Sequence, residues 1–149
     1  MDTMWQVLQA SEMKYATAIA IAFGTLFSQV TLAQPKAPIT RKIIERQDIA
    51  GTPDELEMIL IEYQPGAEAP PHVHPVVGLV YIIEGAAESQ YEGEPGKIFH
   101  AGDSYQDLAN KTHVVFRNTS KTKPLRFVVA CKIPKTQQFS VPLAQGGKP

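Results

Sequence analysis

The sequence predicts an all-β protein, built as an antiparallel β-barrel or jelly roll. Three observations predict it. Short apolar runs rich in β-branched and aromatic residues recur between turn signals, roughly every 8–12 residues. Strand follows strand with no helical segment between them, the order of an antiparallel sandwich or barrel. Beyond the N-terminal region, no stretch keeps a 3.6-residue apolar period long enough for a substantial helix.

The first 33 residues read as a segment apart from the fold. Lys14 precedes an uncharged run rich in Ala and Ile, from Tyr15 to Phe27, and Thr31-Leu32-Ala33 supplies a small-residue ending. A positive start, a short apolar stretch and a small-residue cleavage site describe a secretory signal peptide over residues 1–33. Met13 is an alternative start of translation. The competing reading is a retained anchor, since the uncharged run from Tyr15 to Pro35 reaches 21 residues. Gly24, Gln29 and several Ser and Thr dilute it. The expectation is an exported protein, periplasmic or secreted, with no stable membrane span after cleavage.

The strands follow in order. Residues 34–42 carry two prolines and no periodicity, and read as a flexible leader. Ile43-Ile44 open the barrel, expected over residues 43–135, and a Gly51-Thr52-Pro53-Asp54 turn follows. Leu56 to Tyr63 is the next strand, closed by Gln64-Pro65-Gly66. Val76 to Glu84 is the most apolar run and ends at Gly85. Glu88 to Tyr91 enters a turn of two glycines and a proline, residues 92–96. Ile98 to Ala101 stops at Gly102-Asp103. Val114 to Phe116 and Leu125 to Ile133 complete the set, and residues 136–149 read as a C-terminal tail.

Composition narrows the function. The chain is 44% hydrophobic, enough for a sizeable core, and carries a formal net charge of -1. Its basic residues are scattered rather than clustered, which argues against nucleic acid as a partner. Cys131 is the single cysteine, so neither an internal disulfide nor a thiolate zinc cluster can form. Its apolar neighbours make it a buried small hydrophobe.

The chemistry concentrates in histidines. In an extended chain residues i and i+2 share a face, so His72 and His74 converge on one point. Neutral imidazole suits zinc, copper, iron or nickel. Pro70, Pro71 and Pro75 bracket the pair, stiffen it and place it at a strand entrance. Gly66 stands six positions before His72, and Gly85 follows. Downstream come Gly102, His113 and Asn118.

In this ordered set the chain resembles the cupin superfamily. The first cupin motif is a glycine, five residues, His-x-His, a glutamate shortly after and a later glycine; Gly66, His72, His74 and Gly85 match it. Gly102 and His113 match the second motif, with Asn118 one position late. The resemblance implies a small antiparallel barrel holding one divalent metal (Fe, Mn, Ni, Cu or Zn) on His72, His74 and His113. It also implies that an outer sheet face pairs two subunits in a homodimer. The chain departs from the pattern in two places. Gly78 or Leu79 stands where the family glutamate falls, and Leu108-Ala109-Asn110 replaces a Pro-x-Gly. Some iron dioxygenases of the superfamily use three histidines, so the site survives the missing carboxylate.

Asp107 and Glu68 are candidates to replace that carboxylate; both read rather as solvated loop acids. His100 reads as surface or rim, Glu84 as a turn-side acid, and Tyr105 as a half-buried strand residue. Tyr81 reads as core packing, with a pocket wall as the alternative. Two functions compete. One is a metal-dependent dioxygenase or isomerase acting on a small molecule, which a dication held only by neutral ligands would prefer as an anion. The other is a non-catalytic barrel that binds a small ligand. A third reading makes the histidines vestigial and the barrel a surface for association.

Overall fold

The computed structural model describes residues 38–143; the signal-peptide and export expectations fall on residues outside that range. The strands are β1 (Ile39–Asp48), β2 (Asp54–Tyr63), β3 (Glu68–Ala69), β4 (His72–Val73), β5 (Gly78–Glu84), β6 (Ala86–Tyr91), β7 (Lys97–His100), β8 (Ser104–Asp107), β9 (His113–Asn118), β10 (Leu125–Pro134) and β11 (Val141–Pro142). No helix occurs among the described residues. One sheet runs β1-β2-β10-β5-β8, the other β11-β4-β9-β6-β7, with β3 also on β9. Every pairing of these strands is antiparallel.

The two-residue alternation expected of half-buried strands decides what fills the core. On β2 the odd positions Ile59, Ile61 and Tyr63 are buried, and on β10 so are Leu125, Phe127, Val129, Cys131 and Ile133. Val80 and Ile82 join them from β5, and Ala87 and Phe116 face them from the second sheet. Each fully buried side chain of this size contributes about 1.5–3 kcal/mol relative to exposure. Cys131 is buried as expected.

Two polar devices fix the connections. The Asn118 side-chain amide donates to the carbonyls of Gln64 (3.1 Å) and Lys123 (2.8 Å), while its oxygen accepts from the Ser120 N–H (2.9 Å). One buried asparagine thus ties the loop after β2 to the turn before β10. Gly85 joins β5 to β6 at φ +84, where a side-chain carbon would stand 2.6 Å from the Pro124 carbonyl. Only glycine meets both demands.

Three expectations need correction. Residues 39–42, assigned to the flexible leader, are already strand: β1 starts at Ile39 and pairs with Tyr63. The described part of the expected C-terminal tail is held to the fold, because Val141 pairs with Val73 and Phe139 is buried; residues 144–149 lie outside the described range. Tyr81 is not core. Gly78, Val80 and Ile82 take the inner face of β5, so Leu79, Tyr81 and Ile83 face outward, 59%, 49% and 43% exposed. A strand apolar on both faces does not say which face is inside.

Candidate metal centre

The sequence puts His72 and His74 two positions apart on a stiff extended segment, and the fold brings His113 opposite. His72 pairs directly with His113 across β4 and β9, and a bridge links His74 to Ala109. The three rings lie 4.9, 5.0 and 5.8 Å apart, centre to centre. All three are buried, and one ring nitrogen from each falls within 4.8 Å of the others.

Hydrogen bonds set which nitrogen is free. His72 Nδ1–H donates to the Pro70 carbonyl at 2.9 Å, and His74 Nδ1–H donates to the Phe139 carbonyl at 3.0 Å. A carbonyl only accepts, so in the neutral rings both Nε2 atoms are bare lone pairs. His113 Nε2 lies 2.8 Å from the Ser89 hydroxyl. His74 Nε2 and His113 Nδ1 are buried with no hydrogen-bond partner. Burial lowers the pKa of all three, to about 4 for His74 and about 3 for His113, so the rings stay neutral and able to ligate.

Asp107 corrects the expectation of a solvated acid. It is 3% exposed and closes the same space. Its Oδ2 stands 3.7 Å from His74 Nε2 and its Oδ1 4.0 Å from His113 Nδ1. The Tyr91 hydroxyl donates to Oδ1 at 2.9 Å and accepts from the Leu108 N–H at 3.0 Å. Desolvation pushes the Asp107 carboxyl up to about 6. The other sequence candidate, Glu68, stays on the surface 4.0 Å from Arg117. His100 is exposed, and Glu84 faces Arg126 on the neighbouring strand at 3.9 Å; neither is near the centre.

The absent family glutamate has a physical explanation. A side-chain carbon on Gly78 would stand 2.4 Å from Phe139 Cζ and 2.8 Å from Val129 Cγ1. The Phe139 ring occupies the direction in which a side chain at 78 would project, and it packs on His74 at 4.5 Å. Leu79, the other possible position, points to the outside.

The histidines, Asp107, Tyr105, Phe116 and Phe139 line a cavity of ≈ 20 Å³. That is the size of one water or ion, not of an organic substrate. The Tyr105 hydroxyl lines it without a hydrogen-bond partner, and burial raises its pKa, which keeps it protonated. Arg41, Ile61, Phe139 and Ser140 also line a larger outer pocket of ≈ 420 Å³. Burial raises the pKa of the Tyr63 hydroxyl to about 12, and the Arg41 charge acting on it partly offsets that rise. Sequence reasoning missed Phe139, Arg41, Ser89 and Tyr91. Each reaches the site through pairings far along the chain, and only the alternation of β6 hinted that Ser89 and Tyr91 face inward.

The family model described as "Cupin domain" matches residues 59–131. No curated protein matches. Among solved structures, an uncharacterized conserved protein with a double-stranded β-helix domain from Klebsiella pneumoniae aligns with TM-score 0.55 at 21% identity, over 69% of this chain and 84% of that one. The DMSP lyase DddQ from Ruegeria pomeroyi aligns with TM-score 0.59 at 19% identity, over 74% of this chain and 54% of that one. The polyketide cyclase RemF from Streptomyces resistomycificus aligns with TM-score 0.55 at 18% identity, over 72% and 74%. At such identities the likeness is one of fold.

Proposed function

Because the chain belongs to the cupin superfamily, we propose that His72, His74 and His113 hold one divalent metal ion and that the protein is a small-molecule dioxygenase or isomerase. One observation carries the reading: buried, neutral imidazoles present unpartnered ring nitrogens to an ion-sized cavity. An uncompensated buried polar atom costs about 1–3 kcal/mol, and a cation would satisfy these at once. The nitrogen donors suit iron, nickel, copper or zinc, with manganese also within the family's range. When bound, such an ion supplies Lewis acidity and a free coordination position.

The chain's own residues do the rest. The outer pocket is of the volume that small ligands use, ~300–1,000 Å³, and Arg41 at its inner wall favours an anionic substrate. Phe116, Phe127 and Phe139 give the centre an apolar wall. The Tyr105 hydroxyl donates a hydrogen bond to the reacting group.

Metal analysis of the purified full-length protein tests this. The expectation is near-stoichiometric Fe, Mn, Ni, Cu or Zn that His74→Ala abolishes. A protein that stays metal-free after reconstitution sinks the proposal. The alternative, a non-catalytic small-ligand-binding protein, is favoured by the outer pocket alone; ligand binding that survives complete chelation identifies it.

The exposed Leu56, Met58, Leu79 and Tyr81 form an apolar outer sheet face that supports a homodimer, which light scattering would register. Export to the periplasm or beyond belongs to the same proposal; mass spectrometry of secreted material would find a new N-terminus near Gln34.

A further inference from the structure

We propose that Asp107 is the carboxylate ligand of the metal centre, standing one strand over from the position where the cupin pattern keeps its glutamate. The inference rests on the three-histidine reading above and adds a ligand to it.

The register makes the substitution direct. On adjacent antiparallel strands Gly78 and Asp107 are opposite partners, their side-chain directions close together on one face. Gly78 has no side chain, and the Phe139 ring fills the space one would need. The carboxylate that the strand β5 position lacks is present on its neighbour in β8, aimed into the same cavity.

The contacts around Asp107 call for a cation. Its Oδ1 is held by the Tyr91 hydroxyl, which orients the group. Its Oδ2 faces His74 Nε2 at 3.7 Å. At 3.7 Å the two atoms are not hydrogen-bonded, and the neutral His74 ring has no proton to offer there, since its proton sits on Nδ1 and serves the Phe139 carbonyl. With Asp107 ionised, two electron-rich atoms therefore confront each other in a buried space. Two donors each about 2.1 Å from one zinc-like ion stand roughly 3.0–3.4 Å apart. The observed 3.7 and 4.0 Å separations from the histidine nitrogens need only small side-chain adjustments to reach that. An ionised carboxylate would also halve the net charge buried with a dication, which three neutral imidazoles cannot do. A merely orienting role, with Asp107 accepting a proton from an imidazole, is at odds with the His74 tautomer, and at 4.0 Å His113 Nδ1 is too far from Oδ1 for a hydrogen bond.

The experiment loads the full-length chain with cobalt(II). Crystals read at the cobalt absorption edge are expected to show an Asp107 oxygen within about 2.3 Å of the metal beside the three histidines. Competition with a chelator is expected to show at least ~100-fold weaker binding for Asp107→Asn, beyond the 10–100-fold range typical of groups that only orient a ligand. Tyr91→Phe, which keeps the carboxylate and removes only the group that orients it, should stay within that ~10–100-fold range. A cobalt-loaded parent with Asp107 out of contact overturns the proposal while leaving the histidine centre standing, as does an Asp107→Asn chain that binds within ~10-fold. A parent that takes up no metal overturns both. Should Asp107→Asn fail to fold, the metal-loaded parent structure decides alone.

Discussion

The conflict between position 78 and Phe139 can be tested by a double-mutant cycle. Gly78→Ala adds a methyl group 2.4 Å from Phe139 Cζ and 2.8 Å from Val129 Cγ1. Both neighbours are buried, so the strain cannot escape to solvent, and overpacking of this kind costs about 1–3 kcal/mol. Phe139→Ala removes a ring that is 6% exposed and packed on His74. Loss of a buried phenylalanine costs about 3–5 kcal/mol. If the ring is the main obstacle, the added methyl is tolerated once the ring is gone, except for its Val129 contact. The double variant should then be more stable than the sum of the two losses by about 1–2 kcal/mol, a coupling of the size seen between residues in contact. Urea denaturation with a common m value measures all four corners. Additivity within about 0.5 kcal/mol would refute the claim that Phe139 is what excludes a side chain at 78.

Three further outcomes are expected. Adding a strong chelator to metal-loaded protein should lower its thermal midpoint, since an ion at 100 times its dissociation constant stabilises by ~2.7 kcal/mol; an unchanged midpoint counts against a resident ion. The metal-stripped protein should be less stable at pH 5 than at pH 7.5. His74 and His113, with folded values of about 4 and 3, refuse protons that the unfolded chain accepts below about 6.5, so their contribution is whole above that pH and falls as pH drops. Asp107, raised to about 6, works in the opposite direction between about 6 and 3.8, but one carboxyl does not outweigh the imidazoles; calorimetry across this range should show the net decline. Asn118→Ala should cost about 2–4 kcal/mol by stranding buried carbonyls and the Ser120 N–H, with metal affinity unchanged, as denaturation and titration would register.

The architecture was legible because its signals are local. Turn residues and the two-residue alternation mark β2, β5, β6 and β10 within short windows, and the histidine spacing carries the centre. What escaped the sequence depends on pairings between distant segments. Asp107 reads as a loop acid because nothing near it in the chain announces that β8 will lie against Gly78. Tyr81 reads as inward because β5 is apolar on both faces. Phe139 stands alone in a stretch without periodicity, and its importance comes from a carbonyl and a ring delivered from 65 positions beyond His74.

That last contact gives the C-terminal segment a part in how such a site can diversify. The family match stops at residue 131, yet the group that sets the His74 tautomer and fills the glutamate's place is Phe139. Substitutions between 135 and 140 can reshape the outer pocket and the orientation of His74 while His72, His113 and the strand pairings stay in place. The approach to the three histidines can thus change through a short segment beyond the family match, without altering the strands that carry them.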